Sequence, residues 1–202
     1  TMNIYQGRRF NNTIGCFGAN ALKNIAAAQK AAEIIGIPHR VINLSAEFKK
    51  YILDYYRIER LTGRTPNPCV ICNQKIKFGF LIQKLFLIKE FDFFATGHYS
   101  RIAYNKAKKR YMLLRGIDLR KDQSYFLYRL SQSQFKKILF PLDKFTKEEV
   151  REIAKQAGLN EIANKKESQN FIKDQELKKL LLNNQRNQKG EIINANGKVI
   201  RH

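Results

Sequence analysis

The chain is short of acidic residues, of cysteines and of long apolar runs, and each shortage narrows what it can be. No stretch of about 18 consecutive apolar residues occurs, which removes a spanning helix. The longest candidate, "FGFLIQKLFLI", is broken by Gln83 and Lys84 and reads as an amphipathic or core helix. The opening "TMNIYQGRRF" carries basic residues but no apolar segment after them, so it does not read as a secretory signal. Three cysteines make no disulfide framework and suit a reducing cytosol. Internal repeats and low-complexity tracts are absent too, leaving ordinary globular architecture. Only 17 acidic residues stand against 38 basic ones, a net charge of +21 in 202 residues. A field of that sign attracts phosphate backbones, although a solvated lysine face from compositional bias needs no ligand.

What is present alternates between helix and strand. Hydrophobic residues make up 44% of the chain, enough for a real core. "ALKNIAAAQKAAEII" has helical spacing, with Asn20 as cap and Gly36 as stop. "HRVINL" reads as a short strand. A second helix is expected from Ser45 to about Leu61, ended by Gly63, and a third over 73–90. "FDFFAT" reads as a buried strand closing at Thr96-Gly97-His98. This order implies a parallel sheet with covered faces. "YSRIAY" and "RYMLLR" flank a basic turn as a hairpin, and "QSYFLYRL" opens a helical part. Thr146 and Glu149 form a capping-box pattern, closed by Gly158, and "GEIINANGKVI" reads as a hairpin around Asn196-Gly197. The sheet starts on a half-strand and the last hairpin has no third strand to pack on, so the chain reads as the middle of something larger.

The thiols of "TPNPCVIC" pose the sharpest chemical question. Cys69 and Cys72 supply half of a tetrahedral zinc site, and Cys16, His39, His98 and His202 are not paired at ligand spacing. A thioredoxin-like pair would open a helix after an early strand, whereas here prolines precede the first thiol. An inert buried pair stays open, since cysteine is often a plain core residue. Against inertness, Pro66 and Pro68 make a stiff extended arm delivering Cys69, and Cys72 falls where the helical pattern begins. A helix N-terminus flanked by Arg64, Lys75 and Lys77 favours the thiolate, which is a nucleophile's setting. Elsewhere, Gly97 and His98 end a parallel strand, where α/β sheets place ligands; a satisfied strand-end histidine is the plainer account. Arg120, Lys121, Asp122 and Gln123 precede Tyr125, Phe126 and Tyr128, aromatics suited to a core or to base stacking.

Five segments in this order, "GRTPNPCVICNQKIKFG", "FATGHYSRI", "LLRGIDLRKDQSYFLYRLSQ", "LFPLDKFTKEEVREIAKQAGL" and "KKESQNFI", together resemble the tRNA-specific 2-thiouridylases. The resemblance implies an incomplete parallel-sheet, PP-loop ATPase-like α/β domain over 1–180, with an appended helical tRNA-recognition part at about 120–180. Residues 181–202 would start a truncated β domain. It implies ATP-dependent transfer of a persulfide sulfur to C2 of the wobble uridine of tRNA, in the cytoplasm, with no membrane or DNA partner. Asn67, Pro68 and Cys69 would face the target base, and Cys72 would be the catalytic thiol. Gly97 and Met2 would touch ATP, bound with magnesium. His98, Lys121, Asp122 and Gln123 would hold tRNA, and a separate protein would donate the sulfur.

Three departures accompany the likeness. The family's SGGxDS loop is absent, its C-terminal β domains do not follow, and Ser168-Gln169-Asn170 runs into Phe171-Ile172 without the family's persulfide cysteine. An iron–sulfur cluster on Cys69 and Cys72, known in some relatives with this pair, would need Cys16 as third ligand. Two other classes therefore stand beside the enzyme: an inactive tRNA-binding remnant and a cluster-binding module. Cys69 carrying the persulfide, with Cys72 resolving it, is the remaining arrangement within the pair.

Overall fold

The computed structural model describes residues 1–4, 21–88, 91–164 and 191–201. Two parallel ladders carry the α/β character. β1 (Met2–Asn3) lies beside β2 (Ile42–Asn43), Met2 opposite Ile42. β3 (Phe94–Ala95) lies beside β6 (Ile138–Leu139), Phe94 opposite Ile138. The expected parallel pairing is therefore present, as two ladders of two strands among the described residues. β6 was not expected, because "KKILF" is too short to separate strand from helix by periodicity.

The helix Ala21–Ile34 stops where expected: Gly36 takes φ +71° and Ile37 N–H donates to Ala32 O at 2.9 Å. Ser45–Phe48, the π-turn segment Lys49–Leu53 and Asp54–Leu61 run together as one helix, 45–61. Phe48 and Ile52, four residues apart, point to one face and are fully buried. Gly63, at φ +77°, ends this helix.

The third helix corrects the sequence expectation. It begins at Pro68 rather than Asn73 and runs through Pro68–Ile71, a π segment Cys72–Leu81 and Ile82–Phe86. Asn67 caps it, its Oδ1 accepting Val70 N–H at 3.2 Å. Pro68 is not part of an extended arm; it occupies the first helical position, where its missing N–H costs nothing and its φ is already right. The helix joins two core clusters. Ile76 and Leu81 pack with Ile4, Ile42, Leu44, Phe48 and Ile52, while Phe78 packs with Leu127, Leu130, Phe135, Ile138 and Phe140. Truncating Phe78 to alanine would cost about 3–5 kcal/mol by the usual cavity argument.

β4 (Ser100–Asn105) and β5 (Arg110–Arg115) form the expected hairpin, with Tyr104 and Tyr111 opposite one another. "QSYFLYRL" is not a helix. It makes one 3₁₀ turn, Ser124–Leu127, after which Ser131 caps a new short helix, Gln132–Phe135. Buried Leu127 and Leu130 anchor the turn three residues apart, and the Ser131 capping box restarts the chain in a new direction. The appended helical part is thus interrupted by β6 before Lys147–Gln156 and Asn160–Ala163. The Thr146 capping box forms as expected, with Thr146 N–H donating to Glu149 Oε2 at 2.7 Å. β7 (Ile192–Ile193) and β8 (Val199–Arg201) make the tail hairpin, turned at Gly197 with φ +77°.

Candidate active site

The cysteine pair sits in the first two turns of the 68–86 helix. Asn67 N–H reaches Tyr55 Oη at 3.4 Å while its side chain caps the helix, so the residue before Pro68 is held from both sides. Cys69 is exposed and Cys72 half-buried, and neither is in a disulfide. Three residues apart on a helix, they lie on neighbouring parts of one face.

The helix start behind the expected Cys72 thiolate is corrected. With the helix starting at Pro68, Cys69 rather than Cys72 occupies its first turn. Burial pushes the Cys69 thiol above its ordinary value, with Lys77 pulling the other way. The residue keeps open surface, so a partner can reach it. The protein around its sulfur still disfavours a thiolate, and at neutral pH the thiol form predominates. Of the three cations in the sequence argument, Arg64 is taken by Glu59, at 2.6 and 2.9 Å.

His98 is buried, 8% exposed. Its Nδ1 and Thr96 Oγ1 share a hydrogen bond of 2.7 Å, and its ring lies 5.7 Å from Phe78 and 5.8 Å from Phe140. Burial first, then Lys77, pushes its pKa down to about 3, so it is a neutral imidazole at physiological pH. Gly97 beside it is exposed, and a Cβ there would meet only Leu142 Cδ1 at 3.6 Å.

The loop 116–124 is fastened onto the start of β4. Gln123 Oε1 accepts Tyr99 N–H at 3.0 Å, and Gln123 N–H donates to Tyr99 O at 3.0 Å. Asp122 accepts Gly116 N–H at 2.8 Å, Ser124 N–H at 3.3 Å and the Ser124 hydroxyl at 2.8 Å. Burial, the largest single influence on Asp122, pushes its carboxyl up, yet these bonds and Arg115 together hold it below the ordinary value. Gly116 is required by close approach, since a Cβ would fall 2.8 Å from Tyr99 O. Asp118 accepts the backbone N–H groups of Lys147 and Arg120, which hold its carboxyl below the usual range; its partners cover it although it lies near the surface.

The 68–86 helix brings these parts together. Asn73 Nδ2 donates to Phe126 O at 3.0 Å, tying the 3₁₀ turn to the cysteine helix, and Phe78 packs on His98. Asn73 and Thr96 were missed in the sequence, where neither carries a signal of its partner. Asn73 Oδ1 and Gln74 Oε1 are buried with no hydrogen-bond partner among the described residues. Met2 is half-buried against the first core cluster, on a different ladder from β3, which precedes Gly97. Cys16 and Ser168-Gln169-Asn170 lie outside the described residues.

Residues 1–174 match the family described as the tRNA methyl transferase HUP domain. The chain belongs to that family. This α/β HUP-domain chain is also similar to curated proteins with a more specific name. It is 52% identical over 160 residues to tRNA-specific 2-thiouridylase MnmA 1 of Caldanaerobacter subterraneus, covering 78% of this chain and 43% of that protein. To tRNA-specific 2-thiouridylase MnmA 2 of a Thermoanaerobacter species it is 42% identical over 200 residues, covering 97% of this chain and 54% of the relative. To tRNA-specific 2-thiouridylase MnmA of Carboxydothermus hydrogenoformans it is 39% identical over 191 residues, covering 93% of this chain and 51% of the relative. The chain spans about half the length of these relatives.

The donor set limits which groups the described residues fit. Among them, no group of three His, Cys, Asp or Glu side chains could hold a metal ion, so two thiols stand without a third cluster ligand. For ATP, exposed Gly97 after a parallel strand offers open backbone to a nucleotide. No helix among the described residues is long and apolar enough to cross a membrane.

Proposed function

We propose that this chain is part of an enzyme that transfers sulfur to C2 of the wobble uridine of tRNA. The observation that carries this reading is the "NPCVIC" turn, an Asn-capped helix start that carries two thiols outside any disulfide, one of them exposed, in a chain of +21 net charge. The named relatives supply the substrate class. ATP, when bound, supplies the adenylate that turns the C2 oxygen into a leaving group; Gly97 and Met2 are the residues assigned to it, with magnesium on the phosphates.

Asn67, Pro68 and Cys69 face the target base, and Cys72 is the catalytic thiol. With the persulfide on Cys69, its outer sulfur bonds to C2 as the C2–O bond breaks and the oxygen leaves as part of AMP. Cys72 then loses its proton and attacks the Cys69 sulfur, cleaving the sulfur–sulfur bond and leaving a Cys69–Cys72 disulfide. An external dithiol must reopen that disulfide before the next turnover. Because burial raises the Cys69 thiol, loading depends on a donor protein that presents activated sulfur rather than on a standing thiolate. Lys121, Asp122 and Gln123 shape the RNA-facing loop, and His98 acts as a neutral group packed beneath it. The domain reading is a catalytic unit over 1–180, its RNA-recognition part at about 120–180, and a β unit starting at 181–202, working in the cytoplasm.

The test is the full-length protein with Cys72→Ser, supplied with ATP, tRNA and a persulfide donor. Thiolated uridine, read by mass spectrometry of digested tRNA, should fall at least about 100-fold, as expected when a nucleophile is removed. Binding of tRNA should persist. Equal thiolation by the variant would remove Cys72 from the mechanism.

A further inference from the structure

The 3₁₀ turn Ser124–Leu127 leaves two aromatic rings in solvent beside the thiol-bearing helix. Leu127 is 0% exposed, yet Tyr125 is 64% and Tyr128 62% exposed, with ring centroids 6.0 Å apart. In a 3₁₀ turn, residues three apart eclipse, so the two rings share one outward face. Phe126 supports that face from below, its ring 5.5 Å from Tyr125 and edge-on to it. The platform is not loose, because Asn73 of the cysteine helix holds Phe126 O, and Leu127 and Leu130 are buried in the second core cluster. The turn also packs against Pro68–Ile71, the segment that carries Cys69.

We propose that Tyr125 and Tyr128 form a stacking platform for an unpaired base of the bound RNA, next to the base presented to the cysteines. This rests on the RNA reading above. Paired rings exposed on a fixed turn and followed by exposed Arg129 combine a π surface with positive charge. That combination suits single-stranded nucleic acid, whose bases all have a stacking face and whose phosphates seek cations. A protein partner would gain from the aromatics but from the net charge of +21 only if it were acidic, whereas every RNA segment carries the phosphates that charge attracts.

The experiment uses the full-length protein and a tRNA anticodon stem-loop with 2-aminopurine replacing one unpaired loop base at a time. Tyr125→Leu/Tyr128→Leu removes both π faces while keeping apolar bulk, and Tyr125→Phe/Tyr128→Phe keeps them. The unaltered and phenylalanine proteins should quench one loop position, and the leucine protein should not. Loss of stacking should weaken binding between about 5-fold and about 100-fold without changing its salt dependence. Equal quenching and affinity in the leucine protein overturns the platform and leaves the RNA reading intact. Weakened capture of the sulfur donor with unchanged RNA binding overturns it too, assigning the rings to a protein. No binding of the stem-loop by the unaltered protein overturns both readings.

Discussion

The turn at 67–72 and the loop at 116–124 are both dense in polar side chains, but the fold treats them differently. In the loop, Asp122 and Gln123 spend their hydrogen-bonding capacity on Gly116, Ser124 and Tyr99. At the turn, Asn67 caps the helix and Cys72 packs against the first core cluster, while Cys69 stays exposed and in no disulfide. The loop therefore resembles a scaffold that holds a surface in shape, whereas the turn keeps an exposed thiol in reserve for chemistry. Cys72→Ser sharpens this contrast most. It should abolish sulfur transfer while moving stability by no more than about 1 kcal/mol, checked by urea denaturation.

His98 belongs on the scaffold side, and pH tests that. Its folded pKa, about 3, lies far below the ordinary 6.5. Above pH 6.5 neither state is protonated there and the folded state carries no penalty. As pH falls through the window from 6.5 toward 3, the unfolded chain takes up a proton that the buried ring refuses. Stability is lost at up to about 1.4 kcal/mol per pH unit, or about 2 kcal/mol between pH 6.5 and 5. His98→Gln should flatten this part of the urea-midpoint profile. Identical slopes in both proteins would show that His98 is not held neutral, and its packing against Phe78 and Phe140 would need another account.

Asp122→Ala should break the loop where Cys72→Ser leaves the fold intact. It strands the Gly116 and Ser124 donors and costs about 1–3 kcal/mol. Affinity for tRNA should fall along with stability, while the rate of sulfur transfer at saturating tRNA stays near that of the parent. A variant that keeps its stability but loses only that rate would move Asp122 from scaffold to chemistry.

Much of this was legible in the sequence, unevenly and for physical reasons. Local signals transferred well: Gly36, Gly63 and Gly158 stop helices because each adopts a positive φ, and Thr146 with Glu149 closes a capping box. In the sequence Pro66 and Pro68 look alike, so the cysteine segment reads as one extended arm. Pro68 follows a capping Asn and so starts a helix, while only Pro66 belongs to the extended approach. The expected Cys72 thiolate rests on a helix start at Asn73, and the helix starts at Pro68 instead. "QSYFLYRL" has helical composition but is cut short by burial of Leu127 and Leu130 and by the Ser131 cap. What joins the candidate site is long-range: Asn73 to Phe126 O spans 53 residues and Gln123 to Tyr99 spans 24. No single-sequence pattern encodes such pairs.

The smallest expected effect separates structure from chemistry within one residue. Asn67→Ala removes the cap on Val70 N–H and should cost about 1 kcal/mol. Asn67→Asp restores the acceptor and adds favourable negative charge at the helix start, so stability should return to the parent value or slightly above. If Asn67 serves only the helix, Asp also restores sulfur transfer. If its amide contacts the target base, Asp keeps the acceptor but loses the N–H donors, and adds charge beside an anionic RNA. Transfer then stays low in a protein as stable as the parent. Urea denaturation and thiolation assays on the three proteins decide whether the boundary between scaffold and reserve runs before Asn67 or through it.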